Sequence, residues 1–389
     1  MSEQRKDCKQ LLLLVGSNPL PNYLVSLILK PESVCLFYTP ETAPVKKRLA
    51  EILKRKPARS QPKLSLSEKC IKDAADAGEV SAAFSSFSPG AHLNYTGGTK
   101  VMAAHARMAF GVQRGTNKQA SYLDERRGVL RFDDGYEIDL SQERLELTFS
   151  DILALHGIET IPEKDPPQPA PTMEDTQLIA KAVLKQPDRA KKLYKIHRSN
   201  GDRCTCSKAK ENPERIRDLI ECELSVPEVP GKDWNNRTFK DWCDFLGGEW
   251  LEMWCQDLIA PLTTEIHQGI NCRRDSGREF EIDLALVRGH RLYVISCTTD
   301  TTLERCKSKL FEVAMRARQL GGDLARSALV SLLDGRNAKG SYIDQLRNDA
   351  AEVWEAPNPP RAFGLDDLKE WAGIQGQPNI SSLMEWLDS

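Results

Sequence analysis

Two unbroken apolar runs, LLLLV at residues 11 to 15 and VCLFY at 34 to 38, constrain the fold of this chain more than any other feature. Runs this short, free of polar residues and stopped by turn formers, suit strands buried on both faces, as in a parallel sheet covered by helices. A helical stretch spans about 21 to 30 between them, and a second, rich in Lys, Arg and Leu, covers about 43 to 56. AHLNY (91 to 95) is a further apolar segment that leads through TGGTK into strong helix formers. This alternation predicts a doubly wound α/β sheet, where ligands collect outside the carboxyl ends of the strands.

The remaining pattern is organised in blocks. QASYLDERRGVLRFDDGYEIDL (119 to 140) reads as a hairpin or meander with turns at 125–128 and 133–135, and SDILALHGIE as a short closing helix. PEKDPPQPAP (162 to 171) is a linker, because prolines at this density neither join ladders nor continue helices. A charged helical pattern covers 175 to 195. The last third predicts a helix over about 240–260, strands over 262–270, 278–287 and 291–297, a helix over about 303–320 and a strand over 326–332. With 389 residues the chain exceeds the usual size of one core. The expected division is 1–160, a connecting segment 161–230, and 231–389.

Lys plus Arg (54) balance Asp plus Glu (56), so any nucleic-acid surface must be local. Eleven cysteines with scattered spacing fit a reducing compartment, and Cys204, Cys206 and Cys222 lack the second pair that a zinc site needs. No stretch approaches the roughly 20 apolar residues of a membrane span. A cytoplasmic protein is expected.

NYTGGTKVMAAHARMAF (94 to 110) sets small, hydroxyl-bearing residues and one lysine at the start of a helix. A helix N-terminus offers unpaired N–H groups, Gly97 and Gly98 allow close approach, and Thr96, Thr99 and Lys100 add donors and charge, which suits phosphate. The first strand ends in a similar turn, Gly16-Ser17-Asn18, that would face the same crevice. Both turns are equally readable as ordinary helix caps.

TGGTK, together with LLLVGSNPLPNYLVSL and FYTPETAPVKKRL, resembles the signature of CARF domains, the Rossmann-like sensors of cyclic oligoadenylates associated with CRISPR systems, over about residues 10 to 150. The resemblance implies a homodimer holding the ring at its two-fold interface, with cyclic tetra-adenylate as the activator. It assigns Gly16, Ser17, Asn18, Thr39, Asn94, Thr96, Gly97, Gly98, Thr99 and Lys100 to the ligand.

In the last third, GGEWLEMWCQDLI is an amphipathic helix with Trp250, Leu251, Trp254 and Leu258 on its packing side and Glu249 and Glu252 along one edge. REFEIDLALVRGHRLYVISCTTD is a hairpin in which Asp283 lies among Ile282, Leu284, Ala285 and Leu286. A carboxylate so placed is costly unless it is paired or binds a metal, so Asp283 is the leading candidate metal ligand. His267 on a strand and His290 in a turn, like His197, suit packing or surface roles.

This half resembles the restriction-endonuclease-like PD-(D/E)xK nucleases over about 235 to 335. The combination implies an α/β chain with an N-terminal CARF domain and a C-terminal nuclease domain, in which a helix glutamate, Glu252, and Asp283 hold Mg2+ or Mn2+. The sequence departs from the pattern where the family has an acid and a lysine. It reads Ser296-Cys297-Thr298, with Cys297 the remaining candidate ligand. Lys307, Lys309 and Glu312 on the following helix are expected to replace the missing charges. The function implied is a cyclic-oligoadenylate-activated nuclease of type III CRISPR antiviral defence acting on DNA, RNA or both. Two alternatives are a sensor with a degenerate nuclease domain, and a ring nuclease that cleaves its own ligand.

Overall fold

The structure, a computed structural model, describes residues 8–55, 64–113, 115–161, 172–188, 245–338, 340–354 and 358–388. The linker at 162–171, His197 and Cys204, Cys206 and Cys222 lie outside the described residues.

The first sheet contains β1 (Gln10–Leu14), β2 (Ser33–Tyr38), β3 (Ser65–Cys70), β4 (His92–Asn94), β5 (Ala120–Asp124), β6 (Val129–Phe132) and β7 (Glu137–Asp139), in the order β3-β2-β1-β4-β5-β6-β7. The first five strands are parallel and the last two form an antiparallel meander. The two apolar runs supply neighbouring strands with buried interiors, flanked by α1 (Leu20–Leu29), α2 (Ala43–Arg55), α3 (Ala77–Ala83) and α4 (Lys100–Val112). The chain runs outward from β1 to β3 and returns on the other side of β1 as β4, where Leu13 pairs with Asn94. That reversal makes a crevice between the carboxyl ends of β1 and β4. The doubly wound sheet is the one expected. The edge strand β3, SLSEKC, is mostly exposed and carries no apolar signal.

The second sheet has the order β15-β12-β11-β10-β9-β8. It is built from β8 (Ile158–Thr160), β9 (Ile266–Arg274), β10 (Glu279–Arg288), β11 (Arg291–Thr298), β12 (Arg326–Ser331) and β15 (Arg361–Phe363), while β13 (Arg336–Asn337) and β14 (Gly340–Ser341) form a separate ribbon. Its helices are α5 (Phe149–Leu155), α6 (Met173–Lys185), α7 (Trp250–Ile259), α8 (Leu303–Gly321), α9 (Tyr342–Val353), α10 (Leu365–Trp371) and α11 (Ser381–Asp388). Of the expected helix over 240–260, the described part opens with a π turn at Phe245–Glu249 and continues as α-helix over Trp250–Ile259. The strand expected from 262 begins at Ile266, because Ala260–Leu262 forms a 3-10 turn. Trp250, Leu251 and Trp254 are buried as their spacing predicts, with the Trp254 and Trp371 rings 6.4 Å apart.

The segment 1–160 ends on the second sheet, since β8 pairs antiparallel with β9. A three-residue strand is too short to show periodicity. The two sheets share one apolar core that runs from Leu123, Phe149 and Ile158 to Ile282, Val294 and Val313. Polar contacts reinforce the junction. Arg48 of α2 donates to Asp275 Oδ2 at 3.1 Å, and Glu125 accepts from Asp323 N at 2.9 Å in the turn that ends α8. His290 is buried, and His267 bonds Glu265 at 2.7 Å, both structural placements. Among the described residues no helix is long and apolar enough to cross a membrane.

Candidate ligand crevice and candidate active site

Two glycine turns meet at the crevice between β1 and β4. A Cβ on Gly97 would stand 1.9 Å from the carbonyl oxygen of Leu14, and one on Gly16 would stand 2.9 Å from Gly98 N. The two backbones therefore touch, which only glycine permits. Gly98 adopts φ +76°, and Thr99 then caps α4 by accepting from Met102 N at 3.1 Å. The turn is thus a helix cap, and it also leaves the N–H groups of Lys100 and Val101 at the helix start without intrahelical partners. Cap and anion site are compatible readings of one geometry.

The other assigned residues divide by placement. Ser17 and Lys100 are exposed at the rim, and Gly16, Asn18, Thr39 and Gly97 are half-buried. Asn94 is a correction to the expected ligand set. It is buried, its amide donates to Ser121 O and Oγ at 3.2 Å, and its oxygen accepts from Thr96 N, so it builds the turn from beneath. The Thr96 hydroxyl is likewise occupied, accepting from Leu123 N at 2.7 Å. Asn18 accepts from Leu20 N at 3.1 Å, and its amide lies so close to Gly322 that a Cβ there would be 2.4 Å away. The first-strand turn therefore abuts the end of α8.

The middle of α8 lines a cleft of about 200 Å3 with β10 and β11, bounded by Glu281, Asp283, Ser296, Lys309, Glu312 and Arg316. Opposite Asp283 the β9 ladder is broken. Ile282 pairs with Ile270 and Leu284 with Gln268, and Gly269 between them takes φ +59°. Asp283 Oδ2 accepts from Ser296 Oγ at 2.9 Å and from Cys297 N at 2.7 Å. Ser296 thus helps to hold the aspartate in place.

Electrostatics ties Glu252 to this cleft. Burial, and then the charges of Asp283, Glu281 and Glu249, push its carboxyl up to about 8, while Lys309 opposes them. Glu281 is raised for the same reasons, burial first and Asp283 second. Crowded carboxylates of this kind call for a cation. Lys309 comes to the cleft with no ion pair among the described residues, and Glu312 is engaged by Arg316.

Two expected site residues fall elsewhere. Lys307, two positions before Lys309, turns away to Asp349 of α9, with 2.7 Å between Nζ and Oδ2. Cys297 alternates with Ser296 along β11, so its thiol enters the apolar core beside Cys255, where burial pushes it well above its ordinary value. A thiol turned into the apolar core, away from the cleft that Ser296 lines, does not fit a metal ligand of that cleft. Arg316 was missed by sequence reasoning, although Lys309, Glu312 and Arg316 share one helix face by their spacing.

No protein-family model matches the sequence, and no curated protein matches it. Solved structures do. Can2 from Sulfobacillus thermosulfidooxidans, solved in complex with cyclic tetra-adenylate, has a TM-score of 0.67 at 18% identity, covering 98% of this chain and 99% of its own. This chain shares that fold. Protein VC1899 from Vibrio cholerae matches with a TM-score of 0.67 at 15% identity over 97% of this chain and 98% of its own. A type III CRISPR defence DNA nuclease activated by cyclic oligoadenylate gives 0.50 at 19% identity, covering 91% of this chain and 53% of that one. The fold agrees with the resemblance carried by TGGTK and by the helix–strand pattern around Asp283.

Proposed function

We propose that this protein is a nuclease of type III CRISPR antiviral defence, activated by a cyclic oligoadenylate, with cyclic tetra-adenylate the first candidate. It cleaves DNA or RNA at the Asp283 cleft with Mg2+ or Mn2+. The observation that carries this reading is the cleft that brings Asp283 and Lys309 together, within electrostatic reach of Glu252, on a helix, α8, that ends against the turn of the ligand crevice. The likeness over nearly the whole chain to a protein solved with cyclic tetra-adenylate supports it.

The cleft suits a hard divalent ion. Among the described residues no group of three or more His, Cys, Asp or Glu side chains is arranged to hold a metal, so a closed structural site does not fit. Two carboxylates, Glu252 and Asp283, do fit an open site completed by water and substrate phosphate, as is usual for Mg2+. When bound, the ion would polarise the phosphoryl group and acidify a bound water. Asp283 is oriented for this by Ser296 Oγ and Cys297 N, and Lys309 places a positive charge where charge develops on phosphate oxygens.

The ligand would be held by Gly16, Ser17, Gly97, Gly98, Thr99 and Lys100, with Thr39 beside them and Asn18, Asn94 and Thr96 fixing the turns. Val101, Met108 and Val112 are exposed along one face of α4, at 47%, 70% and 79%. Two such faces would bury each other in a homodimer around a two-fold symmetric ring. Met108→Glu is expected to shift the protein to monomer in light-scattering chromatography and to weaken ring binding at least tenfold. An unchanged dimer would remove this face from the interface.

Replacing Lys309 by Ala is expected to lower cleavage by about 10²–10³-fold, the scale for losing one donor to a developing anion, with ring binding retained. Lys307→Ala should stay within about twofold, because its ammonium is committed to Asp349. Equal losses in both variants would contradict the placement. The serine at 296 also motivates a second reading, a sensor whose nuclease half only binds; wild-type protein that binds the ring but cuts nothing in Mn2+ would favour it.

A further inference from the structure

Beside the Asp283 cleft, α8 and the β9–β10 hairpin carry a strip of cations that starts at Lys309 and continues through two arginines that the cleavage chemistry does not use. Lys309, Glu312, Arg316 and Gln319 share one face of α8 by their spacing. Arg316 lines the cleft, donates to the Glu281 carbonyl oxygen and to the Glu312 carboxylate, and sets its guanidinium carbon 5.5 Å from the centre of the Phe280 ring. Arg274 approaches the same ring to 5.4 Å and donates to Gln319 Oε1 at 2.9 Å. Lys309 and Arg274 have no carboxylate within ion-pair distance among the described residues.

We propose that Lys309 and the two arginines packed on Phe280, Arg316 and Arg274, form a track that grips the phosphate backbone of the nucleic acid on one side of the scissile bond. This rests on the nuclease reading and extends it to the substrate path. Two guanidiniums packed on one ring are held before the substrate arrives, so less side-chain freedom is lost on binding. Their occupation of the ring makes it a support for cations, and guanidinium forks match phosphate oxygens. The near-neutral total charge means that such a grip has to be local, as this strip is.

The test uses full-length Asp283→Asn protein, which should bind without cutting, and fluorescent single-stranded DNA, single-stranded RNA and duplex DNA. Affinity is followed by anisotropy as salt rises over roughly 50 to 200 mM. Adding Arg274→Ala should weaken binding by about 3- to 10-fold and make the slope of log K against log salt shallower by roughly 0.7 to 0.9, one phosphate contact. Arg274→Lys should keep the slope, whereas a purely structural role would not distinguish charge in this way. Arg273→Ala should leave the slope unchanged, since Arg273 faces away and is paired with Glu279 at 2.9 Å. Binding with an unchanged slope in Arg274→Ala would overturn the track and leave the nuclease reading standing. Absence of binding to all three probes by the Asp283→Asn protein, with cyclic tetra-adenylate present, would overturn both.

Discussion

Gly97→Ala should be among the most damaging single substitutions in the chain. Its new methyl would sit 1.9 Å from the Leu14 carbonyl oxygen and 2.9 Å from Asn22 Oδ1, and Asn22 already donates to that carbonyl at 2.8 Å. The clashing atom is backbone inside the central strand pair, so relief requires β1 and the TGGTK turn to separate. Overpacking of this kind costs about 3 kcal/mol. The expected result is a fall in thermal midpoint of roughly 6–12 °C and loss of cyclic tetra-adenylate binding. Gly98→Ala is the milder comparison. It meets the flexible Met102 side chain at 2.8 Å and a left-handed φ, for which about 1–2 kcal/mol is expected. If Gly97→Ala melted like the wild type and bound the ring, the contact between the two turns would be wrong.

Glu252→Gln should separate stability from activity. The Glu252 carboxyl is raised to about 8 in the folded protein, above its ordinary 4.5, so the folded state holds its proton more tightly than the unfolded state does. Stability is therefore lost as pH rises from about 4.5 through 8, and the full cost remains above that. Glutamine removes the titration. The variant should match the wild type near pH 5 and exceed it above pH 8 by on the order of 2 kcal/mol, a discounted use of about 1.4 kcal/mol per pH unit for a half-buried side chain. Mn2+ should reverse the order by stabilising the wild type and leaving the variant unmoved, while cleavage by the variant is lost. Unfolding curves that stay parallel from pH 5 to 9, with no metal effect, would remove Glu252 from the site.

Much of the fold was legible because β1, β2, β10 and β11 are buried strands with clear apolar runs. β3 and β8 were not, one because it is an exposed polar edge and the other because three residues show no period. In the site, Asp283 announced itself as a carboxylate among aliphatic residues. Ser296 read as a defect, since its role depends on register: only the β10–β11 pairing brings it to the aspartate. Lys307 and Lys309 were indistinguishable in sequence, and the rotation of α8 separates them. Cys297 failed by strand alternation, which turns its thiol into the core. Asn94 and Thr96 carry donors and acceptors whose partners, Ser121 and Leu123, lie on the neighbouring strand and are invisible to a local pattern.

The contact of Asn18 with Gly322 and the bond from Asp323 N to Glu125 place the crevice turn at the carboxyl end of α8, the helix whose middle lines the cleft. Ring binding that moves the Gly16 to Asn18 turn would act on the helix that carries Lys309 and Arg316. Under the proposed function, activation would be a shift in a pre-existing equilibrium between two positions of α8.

The most direct measurement is cleavage of single- and double-stranded DNA and RNA by the full-length protein in Mn2+, with and without cyclic oligoadenylates of different ring sizes, beside Asp283→Ala. Strong stimulation by one ring size in the wild type, abolished in Asp283→Ala while ring binding persists, is the result expected. Stimulated cleavage that survives Asp283→Ala would contradict the account.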